Sequence, residues 1–255
     1  MPIIDTHAHI DQLGDLSGAL KRAQEAGVSD IVAVSVDLAS MRATADIAKN
    51  YGQPRIHPAF GVHPGMIKPE ESGDAQAFLR GHLAEAVAVG ETGLDYWYQW
   101  VRKDMVERGK QKASFQWHLD LANEFDLPII IHSRGAWRDC LSMTKAAGVR
   151  KALFHWYSGP LDILDGILEA GYFVSTSPSV AYSEPSRRAM AHAPLDRILV
   201  ETDTPVHYRA PQEAFDSEPK DVLKTWKALS LLKGMDEEMV LDKINAGAKM
   251  FFGIK

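Results

Sequence analysis

Pro2-Ile3-Ile4-Asp5-Thr6-His7-Ala8-His9 opens the chain with a strand-compatible run that delivers two imidazoles one residue apart. On a β-strand, residues i and i+2 point to the same face. His7 and His9 therefore form a two-pronged claw for a divalent cation. Alone, His-x-His is a moderate signal, because exposed or core-satisfied histidines are common. Four later runs repeat the design. Ala86-Val87-Ala88-Val89-Gly90 ends in Glu91, Pro128-Ile129-Ile130-Ile131 in His132, Lys151-Ala152-Leu153-Phe154 in His155, and Arg197-Ile198-Leu199-Val200-Glu201-Thr202 in Asp203.

Working outward, Ile31 to Val36, Ile56 to Val62 and Tyr172-Phe173-Val174 complete a set of about eight strand candidates. Near-continuous β-branched runs suit parallel strands covered on both faces. Helical spacing lies between them. Leu16, Ala19, Leu20 and Ala23 precede a stop at Gly27; Phe115, Leu119, Ala122 and Phe125 precede Leu127-Pro128; Pro160 opens a helix with Ile163, Leu164, Ile167 and Leu168 inside. The region from about Pro219 to Lys255 reads as two helices with apolar stripes, to which we assign no chemistry. Strand–helix alternation over this length predicts an α/β fold, a (β/α)8 TIM-type barrel formed by a single domain, residues 1–255. The alternative, a doubly wound open sheet, wants a Gly-rich phosphate loop after an early strand, and the chain has none.

In a barrel the C-terminal strand ends converge on one face, where active sites form. His7, His9, Glu91, His132, His155 and Asp203 then surround one cavity. Six ligands exceed one tetrahedral site and suit two divalent cations bridged by a carboxylate. Imidazole favours zinc, while carboxylates also admit manganese or magnesium.

Bulk properties set bounds. The 255 residues are 45% hydrophobic and 24% charged, with a formal net charge of -6, which argues against a broad electrostatic grip on long nucleic acid. The single cysteine, Cys140, rules out an intramolecular disulfide and reads as a small buried hydrophobe. There is no signal-peptide pattern and no membrane-length apolar stretch, so the expectation is a cytoplasmic protein, read as a monomer without membrane contact.

The motifs His7-Ala-His9, Gly61-Val-His-Pro64, Gly90-Glu-Thr-Gly-Leu-Asp95-Tyr96, His132-Ser-Arg134, Phe154-His155 and Glu201-Thr-Asp-Thr-Pro205 resemble the TatD family of metal-dependent deoxyribonucleases, amidohydrolase-like metal hydrolases on a (β/α)8 barrel. The resemblance runs in order along essentially the whole chain. It implies that His7, His9 and Asp203 hold one ion, that His132 and His155 hold the other, and that Glu91 bridges. It implies too that Asp203 orients or deprotonates the attacking water, with Glu91 and Asp203 as the catalytic carboxylates. The substrate it implies is DNA or another nucleotide phosphodiester.

Other residues keep two readings. His63 is a phosphate contact or a loop histidine held by its turn. Arg134 is a phosphate contact or half of a rim salt bridge. Asp95 fixes a ligand imidazole or caps its own turn. Trp97, Tyr98 and Trp100 stack on bases or pack the loop on the barrel rim, and packing is the preferred reading. His82 and His118 read as surface residues, His57 as lying at the wrong end of its strand, His192 as helical, and His207 as a weaker candidate for the mouth. The chain departs from the family pattern in the loop Val206 to Ser217, which carries Glu213 and Asp216, and where Ser217 precedes Glu218-Pro219 in place of the usual Asn. The leading expectation is therefore a two-metal phosphodiesterase acting on DNA, as an exonuclease at DNA ends. The second is hydrolysis of a small amide, lactone or ester at the same centre. The third, a binding barrel without turnover, is disfavoured because all six ligands are present.

Overall fold

Each of the eight apolar runs becomes a strand of one parallel sheet in the computed structural model, which describes residues 2–68, 71–211 and 213–255. The strands are β1 (Ile3–Ala8), β2 (Val28–Val34), β3 (Arg55–Phe60), β4 (Ala88–Asp95), β5 (Ile129–Arg134), β6 (Ala152–Phe154), β7 (Phe173–Thr176) and β8 (Ile198–Val200), paired in chain order. Helices α1 (Leu16–Glu25), α2 (Leu38–Asn50), α3 (Ser72–His82), α4 (Met105–Glu124), α5 (Trp137–Ala147), α6 (Leu161–Glu169) and α7 (Glu184–His192) connect them, and α8 (Val222–Lys233) and α9 (Glu237–Phe252) follow β8. The ring closes where the chain leaves β8. Asp203 N donates to His7 O (2.9 Å), His9 N to Thr204 O (2.8 Å), and the buried carboxylate of Asp5 accepts from Thr202 N (3.0 Å) and Thr202 Oγ1 (2.6 Å). This is the predicted (β/α)8 barrel.

The core has two parts. Ile3, Ile31, Phe60, Ile129, Ile131, Phe154 and their neighbours pack outward against the helices. The alternate set, Ile4, Val32, Val34, Ala59, Ile130, Leu153 and Leu199, fills the barrel interior, joined by Phe251, Phe252 and Ile254 from the C-terminal end. Burying one alternate set inside and the other under helices is why the strands read as continuous apolar runs.

Several strand bounds differ from expectation, β2 running Val28–Val34 rather than from Ile31 to Val36, and the differences in β3 and β4 serve the open face. β3 stops at Phe60, because at Gly61 the chain passes so close to Gly90 that a Cβ would lie 2.7 Å from its backbone. β4 continues past Glu91 to Asp95. Gly93, at φ 141°, permits this: a Cβ there would sit 2.0 Å from His132 O. A short antiparallel hairpin, β9 (His207–Arg209) and β10 (Ala214–Asp216), also lies beyond β8, where the sequence suggested only a loop. Among the described residues no helix is long and apolar enough to cross a membrane. Cys140 is fully buried, as read.

Candidate metal centre

Five strands bring the six expected side chains to one end of the barrel. β1 carries His7, with His9 just beyond it; β4 carries Glu91 and β5 carries His132; His155 and Asp203 follow β6 and β8. Asp203 takes φ 50°, a left-handed conformation that Asp tolerates better than most residues.

The donor atoms fall into two groups. In the first, His7 Nε2 lies 3.3 Å from His9 Nε2, 3.4 Å from Asp203 Oδ1 and 3.6 Å from Glu91 Oε2. His9 Nε2 lies 3.3 Å from Asp203 Oδ1 and 3.4 Å from Glu91 Oε2. Ligands at about 2.0–2.2 Å around a tetrahedral cation stand about 3.3–3.6 Å apart. These spacings therefore fit a cation at the centre of the four atoms. In the second group, Glu91 Oε1 lies 2.9 Å from both His132 Nδ1 and His155 Nε2, which are 3.4 Å from each other. Glu91 thus divides its two oxygens between two pairs of imidazoles.

The surroundings orient the rings. His9 Nδ1 donates to Val34 O (2.9 Å), which leaves the Nε2 lone pair facing inward. His132 Nε2 meets Asp95 Oδ2 at 3.0 Å, which leaves Nδ1 for the centre. His155 Nδ1 faces Glu201 Oε1 at 3.4 Å, and Ser175 Oγ donates to the other oxygen of Glu201 at 2.6 Å. His7, His155 and Glu201 are themselves close enough to hold a cation. However, the two rings stack face to face at 4.1 Å, so their in-plane lone pairs run side by side rather than to one point. Glu201 serves better as the carboxylate that orients His155.

The electrostatics of the carboxylates suit a ligand set, and those of the imidazoles make cation binding compete with protons. Burial opposes ionisation of Glu91, yet the neighbouring His155 and His63, with hydrogen bonds from His132 and His155, hold its pKa well below the carboxylate range. Asp203 is likewise held down against burial by His9, His7 and His155. Burial, then the adjacent His155, pushes His7 down. The carboxylates are thus ionised and His7 neutral, as ligation requires. Against burial, however, hydrogen bonds and charge from Asp203, Glu91, Asp95 and Glu201 raise His9, His132 and His155 above the ordinary imidazole range, so a cation binding there must displace their protons.

His63 stands beside the six. Its ring lies 4.3 Å from that of His132, and Nε2 is 3.9 Å from Glu91 Oε1. Gly65 N donates to Nδ1 (2.9 Å), so the proton of the neutral ring sits on Nε2. His63 is thus set up to donate at the site's edge. Burial and the nearby His132 push its pKa down to about 3. Arg134 lines the cavity and donates to Asp95 Oδ2 (2.8 Å), so it lies at the mouth and in a rim ion pair at once. Asp95 likewise fills both expected roles, meeting His132 and accepting from Trp97 N (2.8 Å).

Three readings need correction. His118 is not on the surface: it is 1% exposed, its Nδ1 bonds Ser114 O (2.7 Å), and its Nε2 accepts from Val62 N (3.1 Å). It thereby holds the loop that bears His63. His82 is half-buried and stacked on Phe78. Trp97, 65% exposed, does not pack on the rim, and Trp100, though stacked on Tyr98, leaves 49% of its surface exposed. His207 is drawn to Asp216 across the hairpin (2.8 Å) and is absent from the cavity lining. His57 lies at the far end, as read, bonded to Asp30 (2.7 Å).

The sequence reading missed Asp5, Glu201, Asp11, Asp37 and Gln111. Glu201 stands two residues before Asp203, a strand-alternation signal that was available. Asp11 and Asp37 line the β1–β2 side of the mouth of a cavity of about 1140 Å³. Gln111, on α4, accepts from Asp95 N (3.0 Å) and donates to Pro64 O (3.2 Å).

The chain is similar to known proteins along nearly its whole length. The family model described as TatD related DNase matches residues 4–253. A relative from Mycobacterium tuberculosis, named as an uncharacterized metal-dependent hydrolase TatD, is 30% identical over 99% of this chain and 98% of its own. The human deoxyribonuclease TATDN3 is 26% identical over 98% of this chain and 94% of its own. The crystal structure of the TatD homologue YjjV from Escherichia coli superposes with a TM-score of 0.89 at 27% identity, covering 99% of this chain and 98% of that one.

Proposed function

The chain belongs to the TatD family of metal-dependent hydrolases, and from that membership we propose that it is a two-metal phosphodiesterase that removes nucleotides from DNA ends. One observation carries this reading: Glu91 shares its two oxygens between a His7–His9–Asp203 group with ligand-like spacing and a His132–His155 pair that it meets at hydrogen-bond distance. Two divalent cations held there would supply Lewis acidity, lowering the pKa of an attacking water and neutralising charge on the phosphoryl oxygens. Zinc, manganese and magnesium all suit the mixed imidazole–carboxylate set.

The chain's own residues do the rest. Asp203 accepts the proton of the attacking water, being the carboxylate of the first group with no role in joining the two. Glu91 holds the two groups in register. His63 Nε2–H and the Arg134 guanidinium, both beside the Tyr98 ring, offer hydrogen bonds to the non-bridging phosphate oxygens.

The test combines metal analysis with two substrates. Purified protein should retain two divalent cations per chain. With added metal it should hydrolyse bis(4-nitrophenyl) phosphate and release nucleotides from end-labelled single-stranded DNA. Glu91→Ala and Asp203→Ala should each lose at least about a thousandfold in rate. Asp11 and Asp37 favour a second reading in which a neutral or cationic small molecule is the substrate. Metal-dependent cleavage of amides, lactones or carboxylic esters with no phosphodiesterase activity would replace the first reading with that one.

A further inference from the structure

The loop between β4 and α4 is unlike the rest of the rim. Val101 is fully buried and anchors it, while Trp97 and Trp100 stand out in solvent, with Arg102 and Lys103 exposed beside them. Met105 and Val106, 73% and 68% exposed, extend the apolar surface. Clustered exposed rings among cations mark an interaction surface rather than a packing accident.

This surface is continuous with the metal centre. The Tyr98 ring lies 6.5 Å from His63, and Trp100 stacks on Tyr98 at 5.4 Å with 19° between planes. The Arg134 guanidinium, at the mouth, sits 5.1 Å from the Tyr98 ring. The opposite side of the mouth is acidic, carrying Asp11 and Asp37. In a chain of net charge -6, a polyanion bound at the centre is repelled from the β1–β2 side and received on the β4–β5 side.

We propose that Trp97, Trp100, Arg102 and Lys103 form a platform for single-stranded nucleic acid, holding the bases that extend beyond the phosphodiester at the metal centre. This rests on the phosphodiesterase reading above. The rings supply stacking faces that any base accepts, and the cations follow the backbone. A duplex keeps its bases stacked inside and offers the rings little. A second copy of this chain is a poorer occupant, because a two-fold interface centred on this patch would gather four cations, Arg102 and Lys103 from each copy, into one seam.

The experiment reads binding without turnover. A fluorescein-labelled 12-nucleotide single strand is titrated with the intact protein in chelator, and anisotropy gives Kd at two salt concentrations. Trp97→Ala/Trp100→Ala should weaken binding at least about tenfold. Arg102→Glu/Lys103→Glu should weaken it and flatten the salt dependence. A thermal melt matching wild type verifies the fold of each variant. Equal strand affinity in the tryptophan variant overturns the proposal, as does equal affinity of wild type for a blunt duplex of the same length. A dimer that the tryptophan variant abolishes, with strand affinity unchanged, overturns it in favour of self-association. Failure of the phosphodiesterase assay is a separate result, read with bis(4-nitrophenyl) phosphate, which is too small to reach the platform.

Discussion

The carboxylate of Asp95 meets three partners at once: the ring of His132, the guanidinium of Arg134 and the backbone N–H of Trp97. Its pKa lies below the ordinary range because hydrogen bonds from His132 and Arg134 outweigh the opposing cost of burial. A fixed anion here holds His132 in the tautomer that presents Nδ1 to Glu91. Asp95→Asn keeps the shape and removes the charge, so metal affinity or kcat should fall about 10–100-fold with little change in melting temperature. Metal titration followed by isothermal calorimetry checks this, and unchanged affinity and rate would sink the assignment. His118 works at greater remove. Its Nε2 is the acceptor for Val62 N–H, one residue from His63. His118→Leu leaves that donor buried and unpaired, which costs about 1–3 kcal/mol in a urea melt. It should also raise KM for phosphodiester more than it lowers kcat, because His63 loses its support while the six ligands keep theirs.

At the scale of elements, the path of β4 is the decisive one. Gly90-Glu91 interrupts the pairing with β5 between Val89 and Thr92 and turns a carboxylate toward the open end, and the pairing then resumes from Thr92 through Asp95. Gly93→Ala places a Cβ on the His132 carbonyl oxygen at a φ that L-residues avoid, so β4 and β5 must separate. We expect a loss of at least about 3 kcal/mol in stability and loss of the second metal before the first, read by denaturant melts and metal counting. The strands are legible in the sequence because all eight are near-continuous apolar runs, five of which end in a polar donor, and the two observations reinforce each other. The hairpin of β9 and β10 was not, since three-residue strands are too short to show alternation. Asp5 and Glu201 were passed over because they stand inside apolar runs, where a carboxylate looks like an interruption rather than a partner of Thr202 or His155. His118 was misread from residue type alone. It lies three residues after Phe115 and one before Leu119, on the same inward stripe of α4 that helical spacing had already marked.

For the whole molecule, the barrel separates chemistry at one end from stability at the other. At the far end, Asp30 accepts from His57 Nε2 (2.7 Å), Arg55 Nε (2.8 Å) and Ser29 Oγ (2.7 Å), and Arg55 also donates to the Lys255 carbonyl (2.9 Å). Together they tie β2, β3 and the C-terminal segment over Phe251, Phe252 and Ile254. Burial opposes the Asp30 charge, but His57, Arg55 and Ser29 outweigh it and hold the carboxyl well below its usual pKa. A carboxyl depressed on folding binds fewer protons in the native than in the unfolded state. Its contribution is therefore complete above the unfolded value of about 4 and is lost as pH falls below it. Asp30→Asn should cost about 2 kcal/mol at pH 7, the partners being partly exposed, and the gap from wild type should narrow between about pH 4 and pH 3. Urea melts across that range read the gap, and a pH-independent difference would show that shape rather than charge is at stake. Because the metal centre lies at the opposite strand ends, kcat per folded molecule should be unchanged in the same variant. A fall in kcat at full folding would mean that the floor of the barrel sets the geometry of its mouth.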